Sequence, residues 1–199
     1  MARRRLNALG RMAAEVGYAA SAAVGIPTVF ASRYGDASRS LELLAEMARG
    51  EAVSPTAFGL SVQNAIGAMV SMARGDQANM LAVAGGAASA AAGMIEAAAL
   101  LHDGAPEVLL VHYDAALPQD YAGFHDEPQA AYAWAWRVAP CPRPGVQGFT
   151  LARTPEAHPP QAHAPALPLG LALLRSALIP GHCEQAWHDG ARWRLQAHA

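Results

Sequence analysis

Few residues in this chain have the chemistry to make or break bonds. Cys141 and Cys183 are its only thiols, and eight histidines are spread along 199 residues. A thiolate beside a histidine base serves acyl transfer or thioester hydrolysis, so Cys141 or Cys183 with His112 or His182 is the enzymatic reading open to the chain. Neither cysteine stands at a recognisable helix N-terminus, where positive potential would lower a thiol pKa, and inert thiols are expected. His158 and His163 lie in a proline-rich stretch at a spacing that shares no helical face. No HExxH or CxxC pattern accompanies them, so no metal is expected. His112 precedes Tyr113 and Asp114 at the end of an apolar run, where catalytic groups often sit in α/β sheets. Strand alternation sends His112 and Tyr113 to opposite faces, which favours a hydrogen-bonded structural histidine over a base. The glycine-rich GGAASAAAG from Gly85 lacks both the spacing and the acidic partner of a dinucleotide fingerprint. No cofactor is expected.

Composition bounds the partners. The chain is 53% hydrophobic and 15% charged, enough for one sizeable core. A net charge of -2 and a pI near 6.4 supply no positive field for phosphate backbones or anionic lipid, which excludes nucleic acid as an expected partner. Two distant cysteines form no disulfide framework, so a reducing cytoplasm is the expected location. The opening MARRRLNALGRMAAEVGYAA has a basic start, but Arg11 and Glu15 interrupt its apolar face and mark an amphipathic helix instead of a signal peptide. Met80 to Leu101 is the stretch closest to a membrane span. Its apolarity is mostly alanine, Gly85 and Gly86 break it early, and Glu96 would cost about 2.5 kcal/mol or more in lipid. A buried strand running into a buried helix is expected there, and no membrane span.

The elements that must position these residues follow from periodicity. Leu6, Leu9, Met12, Ala13 and Val16 predict a helix over 3–22. A β-branched and aromatic cluster predicts a strand over 28–32. Leu41, Leu44, Ala45 and Ala48 share a face of a helix starting at Ser38, closed by Gly50 as a left-handed cap. Ser54–Pro55 turns into a helix over 60–73, apolar nearly all round and therefore expected to be central. A strand over 79–84, an alanine-rich helix over 87–102 and a buried strand over 107–112 follow. This alternation predicts an α/β layered fold with a mixed, mostly parallel sheet and helices on both faces. Residues 131–138 alternate small with large and predict a strand with an aromatic face. Eight prolines between Pro140 and Pro168 then predict an irregular excursion. A helix at 167–178 and a closing strand at 191–195 complete the chain.

The centre of the chain, SPTAFGLSVQNAIGAMVSMARGDQANMLAVAGGAASAAAG from Ser54, resembles the nucleophile-bearing region of β-ketoacyl synthases. In those enzymes a Ser-Pro turn leads into a helix with an asparagine, then a strand, then an elbow carrying the acyl-accepting cysteine. Ser54, Pro55 and Asn64 match those places, and ungapped alignment puts the cysteine position at Ala87. The RRRLNALGRMA opening, SRYGD at 32–36, GEAVSPTAFGLSVQNA at 50–65 and VLLVHYDAALP at 108–118 are similar to the truncated ketoacyl-synthase-like chain-length factors of aryl polyene biosynthesis. Gln63 stands where those relatives often carry histidine.

The resemblance implies a single half-thiolase domain over 1–199, since 199 residues have room for about one half of the duplicated fold. It also implies loss of catalysis. A methyl group at Ala87 cannot accept an acyl chain, and neither a His-Gly-Thr-Gly-Thr stretch nor a Gly-His elbow followed by small residues appears after residue 125 to stabilise enolate and oxyanion. The implied role is a pseudoenzyme subunit in a heterodimer with an active ketosynthase. The implied interface strand is Asn79, Met80, Leu81, Ala82, Val83 and Ala84, lying antiparallel to its counterpart. Phe58, Leu60, Gln63 and Asn64 would close the far end of the partner's acyl channel. An acyl carrier protein is a further implied partner, and a homodimer through the same strand is the alternative in isolation.

Overall fold

The computed structural model describes residues 6–21, 23–140, 148–156, 166–179, 183–188 and 190–198. The calls on Cys141, His158, His163 and His182 fall outside these residues. Three short apolar runs form the parallel part of the main sheet: β1 (Thr28–Ala31), β2 (Met80–Val83) and β3 (Val108–Asp114). Its strand order is β2-β1-β3-β4, and β4 (Tyr132–Val138) runs antiparallel to β3. β1 and β3 are central and buried on both faces, which is why they read as continuous apolar runs.

Alternation divides their side chains between two cores. Phe30, Leu109, Val111 and Tyr113 face α1 (Ala8–Ala20) and α4 (Ala65–Arg74). Val29, Ala31, Val108 and Leu110 face α5 (Ser89–His102) and α6 (Leu169–Leu178). Glycines let the helices lie flush on the sheet. A Cβ at Gly67 of α4 would meet Phe30 Cδ2 at 2.8 Å, and one at Gly93 of α5 would meet Ala31 Cβ at 2.7 Å. A second sheet, β5 (Gly148–Pro155), β7 (Ala191–His198) and β6 (Cys183–His188), is antiparallel in the order β5-β7-β6. Along β7, Ala191, Trp193, Leu195 and Ala197 are buried while Arg194 and His198 are exposed. Trp193 and Leu195 join the α5–α6 core.

The expected α/β class holds, with helices on both faces of a mostly parallel sheet. Several local expectations change. The helix expected over 60–73 begins only at Ala65, as α4; residues 60–64 form a turn where Leu60 folds back onto the α1–α4 core, and a separate short helix, α3 (Pro55–Gly59), occupies the expected Ser54–Pro55 turn. α4 is covered on one face only, since Met72 is 67% exposed. In α2 (Ala37–Ala48) the buried residue is Leu43 and Leu44 is exposed, because this helix packs mainly on α3 and not on the sheet. Gly50 is left-handed as expected, with φ +72°. β2 is not a buried strand. It occupies the sheet edge and is half-buried throughout. The proline-rich stretch contains β5, whose Phe149 stacks on Trp136 at 5.3 Å. β6 has no counterpart among the expected strands.

Candidate functional site

The elbow between β2 and α5 is built by a small set of bonds. Gly86 takes φ +57°, which a side chain resists, and Ala88 is the residue preceding the helix. The buried Ser89 hydroxyl accepts from the Gly85 amide (2.9 Å) and donates to the Gly86 carbonyl (2.7 Å). Ala87 therefore sits half-buried at the mouth of a 14-residue helix, in the field that lowers the pKa of a thiol. It offers only a methyl group to that field.

Beside the elbow, β2 presents an edge. It pairs with β1 on one side, and its four residues include no charge and no proline, the usual protections of an exposed edge. Asn79 and Ala84, at its two ends, are exposed. The segment before α4 carries the other expected site residues. Ser54 caps α3 by accepting from Ala57 N (3.4 Å), Phe58 is 61% exposed, and Leu60 points inward. Asn64 is exposed and makes no side-chain cap bond to α4. Gln63 Nε2 donates to the Ser32 carbonyl (3.0 Å).

A buried polar cluster at the C-terminal ends of β1 and β3 holds His112. The imidazole is 1% exposed and its Nδ1–H donates to the Ala31 carbonyl (2.9 Å), which leaves Nε2 to accept from the Tyr132 hydroxyl (3.2 Å). Burial pushes the His112 pKa down to about 4, so the ring is neutral. Asp114 Oδ2 lies 3.3 Å from Nε2, and Oδ1 accepts from Ser32 Oγ (3.0 Å) and Arg33 N (2.8 Å). Burial pushes Asp114 up to about 6 against those two bonds. Tyr132 is likewise raised, by burial and then by Asp114. The Arg33 side chain, 8% exposed, pairs with Asp126 (2.6 Å) and Glu127 (2.8 Å), and these bonds outweigh its desolvation and keep it charged. Glu127 in turn accepts from Leu169 N (3.1 Å) at the start of α6.

This cluster clamps the ends of β1, β3 and β4 to the start of α6. The notch beside it, lined by Arg33, Asp114, Glu127 and Tyr132, has room for about one water, at ≈ 10 Å³. An acyl group does not fit there. His112 is thus the hydrogen-bonded structural histidine expected from alternation. The Arg33–Glu127 part went unseen in the sequence because its partners are 94 residues apart. Cys183 lies on the second sheet, where Arg194 Nε donates to its Sγ (3.2 Å), whereas His112 lies on the main sheet. A cavity of ≈ 370 Å³ between α1 and α4 is lined, among the described residues, by Leu6, Ala14, Glu15, Tyr18, Met69, Val70 and Ala73, with no cysteine, serine or histidine among them. Among the described residues no cluster of three His, Cys, Asp or Glu side chains could hold a metal. Among them also, no helix is long and apolar enough to cross a membrane.

A half-buried elbow ends a parallel strand and opens a helix that packs on the sheet, and the fold as a whole is thiolase-like. The model for the N-terminal domain of β-ketoacyl synthase matches residues 1–194, and the chain belongs to that family. Its fold is similar to that of a chain in the structure of a ketosynthase (ApeO) in complex with its chain length factor (ApeC) from Xenorhabdus doucetiae. The TM-score is 0.82 at 24% identity over 97% of this chain and 79% of that one. It is also similar to the ishigamide ketosynthase/chain length factor, with TM-score 0.63 at 12% identity over 78% of this chain and 51% of that one. At these identities the likeness is one of fold. No curated protein matches the chain in sequence.

Proposed function

We propose that this chain is a non-catalytic, chain-length-factor-type subunit that pairs with an active β-ketoacyl synthase. The observation that carries the reading is Ala87, an inert methyl in a family elbow whose glycine turn and serine brace are intact. The unprotected apolar edge of β2 supports pairing, because Asn79–Ala84 can add an antiparallel strand and hide its backbone groups. Phe58, Leu60, Gln63 and Asn64 then lie on the segment that reaches the partner's acyl channel, with exposed Phe58 as its tip. An aryl-polyene or related fatty-acid-like pathway in the cytoplasm is the setting this reading implies, with an acyl carrier protein delivering substrate to the partner.

Co-expression with an active ketosynthase of the same organism tests the pairing. Co-elution on gel filtration, lost on Ala82→Lys at the strand edge with the monomer's melting temperature retained, is the expected result. A chain that runs alone in both forms refutes it. A mass of twice 20.7 kDa for the isolated chain would instead favour a homodimer.

A further inference from the structure

Gln63 is joined to the edge strand through a single residue. Ser32, wholly buried at the end of β1, donates its amide to the Val83 carbonyl at the end of β2 (3.1 Å) and accepts the Gln63 Nε2 bond at its own carbonyl (3.0 Å). Its hydroxyl donates to Asp114 Oδ1 and accepts from the Gly35 amide (2.9 Å), so Ser32 cannot shift alone. The other end of the Gln63 amide lies over Gly35, where a Cβ would stand 2.5 Å from Oε1 and where φ is +56°. Glycine at 35 thus makes the space the amide occupies.

The turn from α3 is stiff as well. The Ser61 amide and hydroxyl both donate to the Phe58 carbonyl, at 3.0 and 2.8 Å, and Leu60 is anchored in the α1–α4 core. Phe58 therefore rides on a segment that packs on α2 and is held beyond α3 by the Leu60 side chain and the Gln63 amide. Leu60 fixes depth but not direction, since an apolar contact has no preferred angle. The hydrogen bond supplies direction.

We infer that Gln63 is a positioning latch: through Ser32 it fixes the Phe58-bearing turn relative to the β2 edge, and so sets how far Phe58 projects into a paired ketosynthase's acyl channel. The length-setting half of this inference rests on the pairing reading above; the latch itself does not.

Amide hydrogen exchange on the isolated chain tests the latch, with β3 as the internal reference and protection factors corrected for intrinsic pH dependence. Gln63→Leu should lower protection across residues 56–64 about five- to tenfold, the loss expected for one net hydrogen bond, and leave β3 unchanged. Gln63→Glu should show the same loss at pH 7.5 and regain protection near pH 3.5, below the ordinary glutamic acid value of about 4.3, where the protonated acid can again donate to the Ser32 carbonyl. Asp114 faces Ser32 and titrates in the same range, so wild type and Gln63→Leu are measured at both pH values as references. Unchanged protection in Gln63→Leu, or no acid recovery in Gln63→Glu, overturns the latch.

In the co-purified complex, Gln63→Leu should broaden the product profile by at least one extension unit with complex affinity within threefold of wild type. An unchanged profile overturns the length-setting role while pairing stands. Failure of wild type to pair overturns the pairing reading and the length-setting role together, and the exchange data still decide the latch.

Discussion

Gly170, the second residue of α6, is the tightest point of contact between that helix and the polar cluster. A Cβ there would stand 2.7 Å from His112 Cδ2 and closer still to His112 Nε2 and the Tyr132 hydroxyl. Neither ring can step aside cheaply. His112 is held by Ala31 at Nδ1 and lies 5.2 Å from the Trp134 ring, whose Nε1 donates to the Gly170 carbonyl (3.1 Å). Overpacking of this kind costs about 1–3 kcal/mol, and losing the His112–Tyr132 bond adds about 1 kcal/mol. The helix propensity gained by Gly170→Ala returns less than about 1 kcal/mol at a first-turn position. A net loss of about 2–3 kcal/mol is expected, a large share of a domain's stability of about 5–15 kcal/mol. With an m-value of about 2 kcal/mol/M, the urea midpoint should fall by about 1–1.5 M, followed by tryptophan fluorescence. Gly59→Ala is the control, since a Cβ at Gly59 meets nothing within 4 Å, and it should leave the midpoint in place or raise it slightly. A Gly170→Ala midpoint within 0.2 M of wild type, on the order of 0.4 kcal/mol, would refute the clamp as described.

Arg33→Met strands the half-enclosed Glu127 carboxylate and should cost about 2–4 kcal/mol in urea unfolding, whereas Arg49→Ala, which breaks a pair about half exposed on both sides, should not move the midpoint. Equal effects would contradict the burial argument. pH dependence is opposed within the cluster: the His112 contribution, present above pH 6.5, is lost as pH falls toward 4, while the Asp114 contribution is present below 3.8 and lost as pH rises through 6. Wild type should therefore be nearly flat from this source, and Asp114→Asn should lose stability steadily between pH 6.5 and 4. Parallel profiles for the two proteins would refute the assignment. Ala87→Cys places a thiol at the mouth of α5, and its alkylation, followed by peptide mass spectrometry, should titrate below the ordinary cysteine value of about 8.5. An unshifted titration would sink the placement of residue 87 in the helix field.

What could be read from the sequence was what repeats locally. β3 was legible because a strand buried on both faces must be apolar at every position, and Val108–Val111 is. The opposite placement of His112 and Tyr113 followed from the two-residue period alone. The edge position of β2 was not legible, since four apolar residues read the same in a central strand and in an edge awaiting a partner. The break between α3 and α4 was hidden for a similar reason: residues 60–73 keep helical apolar spacing, and only the distant Ser32 carbonyl explains why Gln63 leaves the helix. In the proline-rich third, β5 is fixed by pairing with β7, from Gly148 opposite His198 to Pro155 opposite Ala191, and such pairing leaves no local signature. Of the expected site residues, Ala87 and the Asn79–Ala84 strand came from the family resemblance, whereas the Arg33–Glu127–α6 connection came only with the fold.

On the proposed reading, the elbow accounts for how a nucleophile could be lost without loss of the fold around it. Gly86 and Ser89 do structural work there: they turn the chain out of the edge strand and brace the first turn of α5, and Gly93 lets that helix lie on Ala31 and Leu110. None of these contacts involves the side chain of residue 87. A cysteine at that position would serve acyl chemistry, while Ser89 and Gly86 make the turn after β2 and Gly93 seats α5 against the sheet. The residues that would define an interface and those that would define a reaction are therefore separable in this elbow. Substitution at residue 87 removes the second without disturbing the first, which is the physical condition for a partner subunit to retain a condensing enzyme's scaffold without its chemistry.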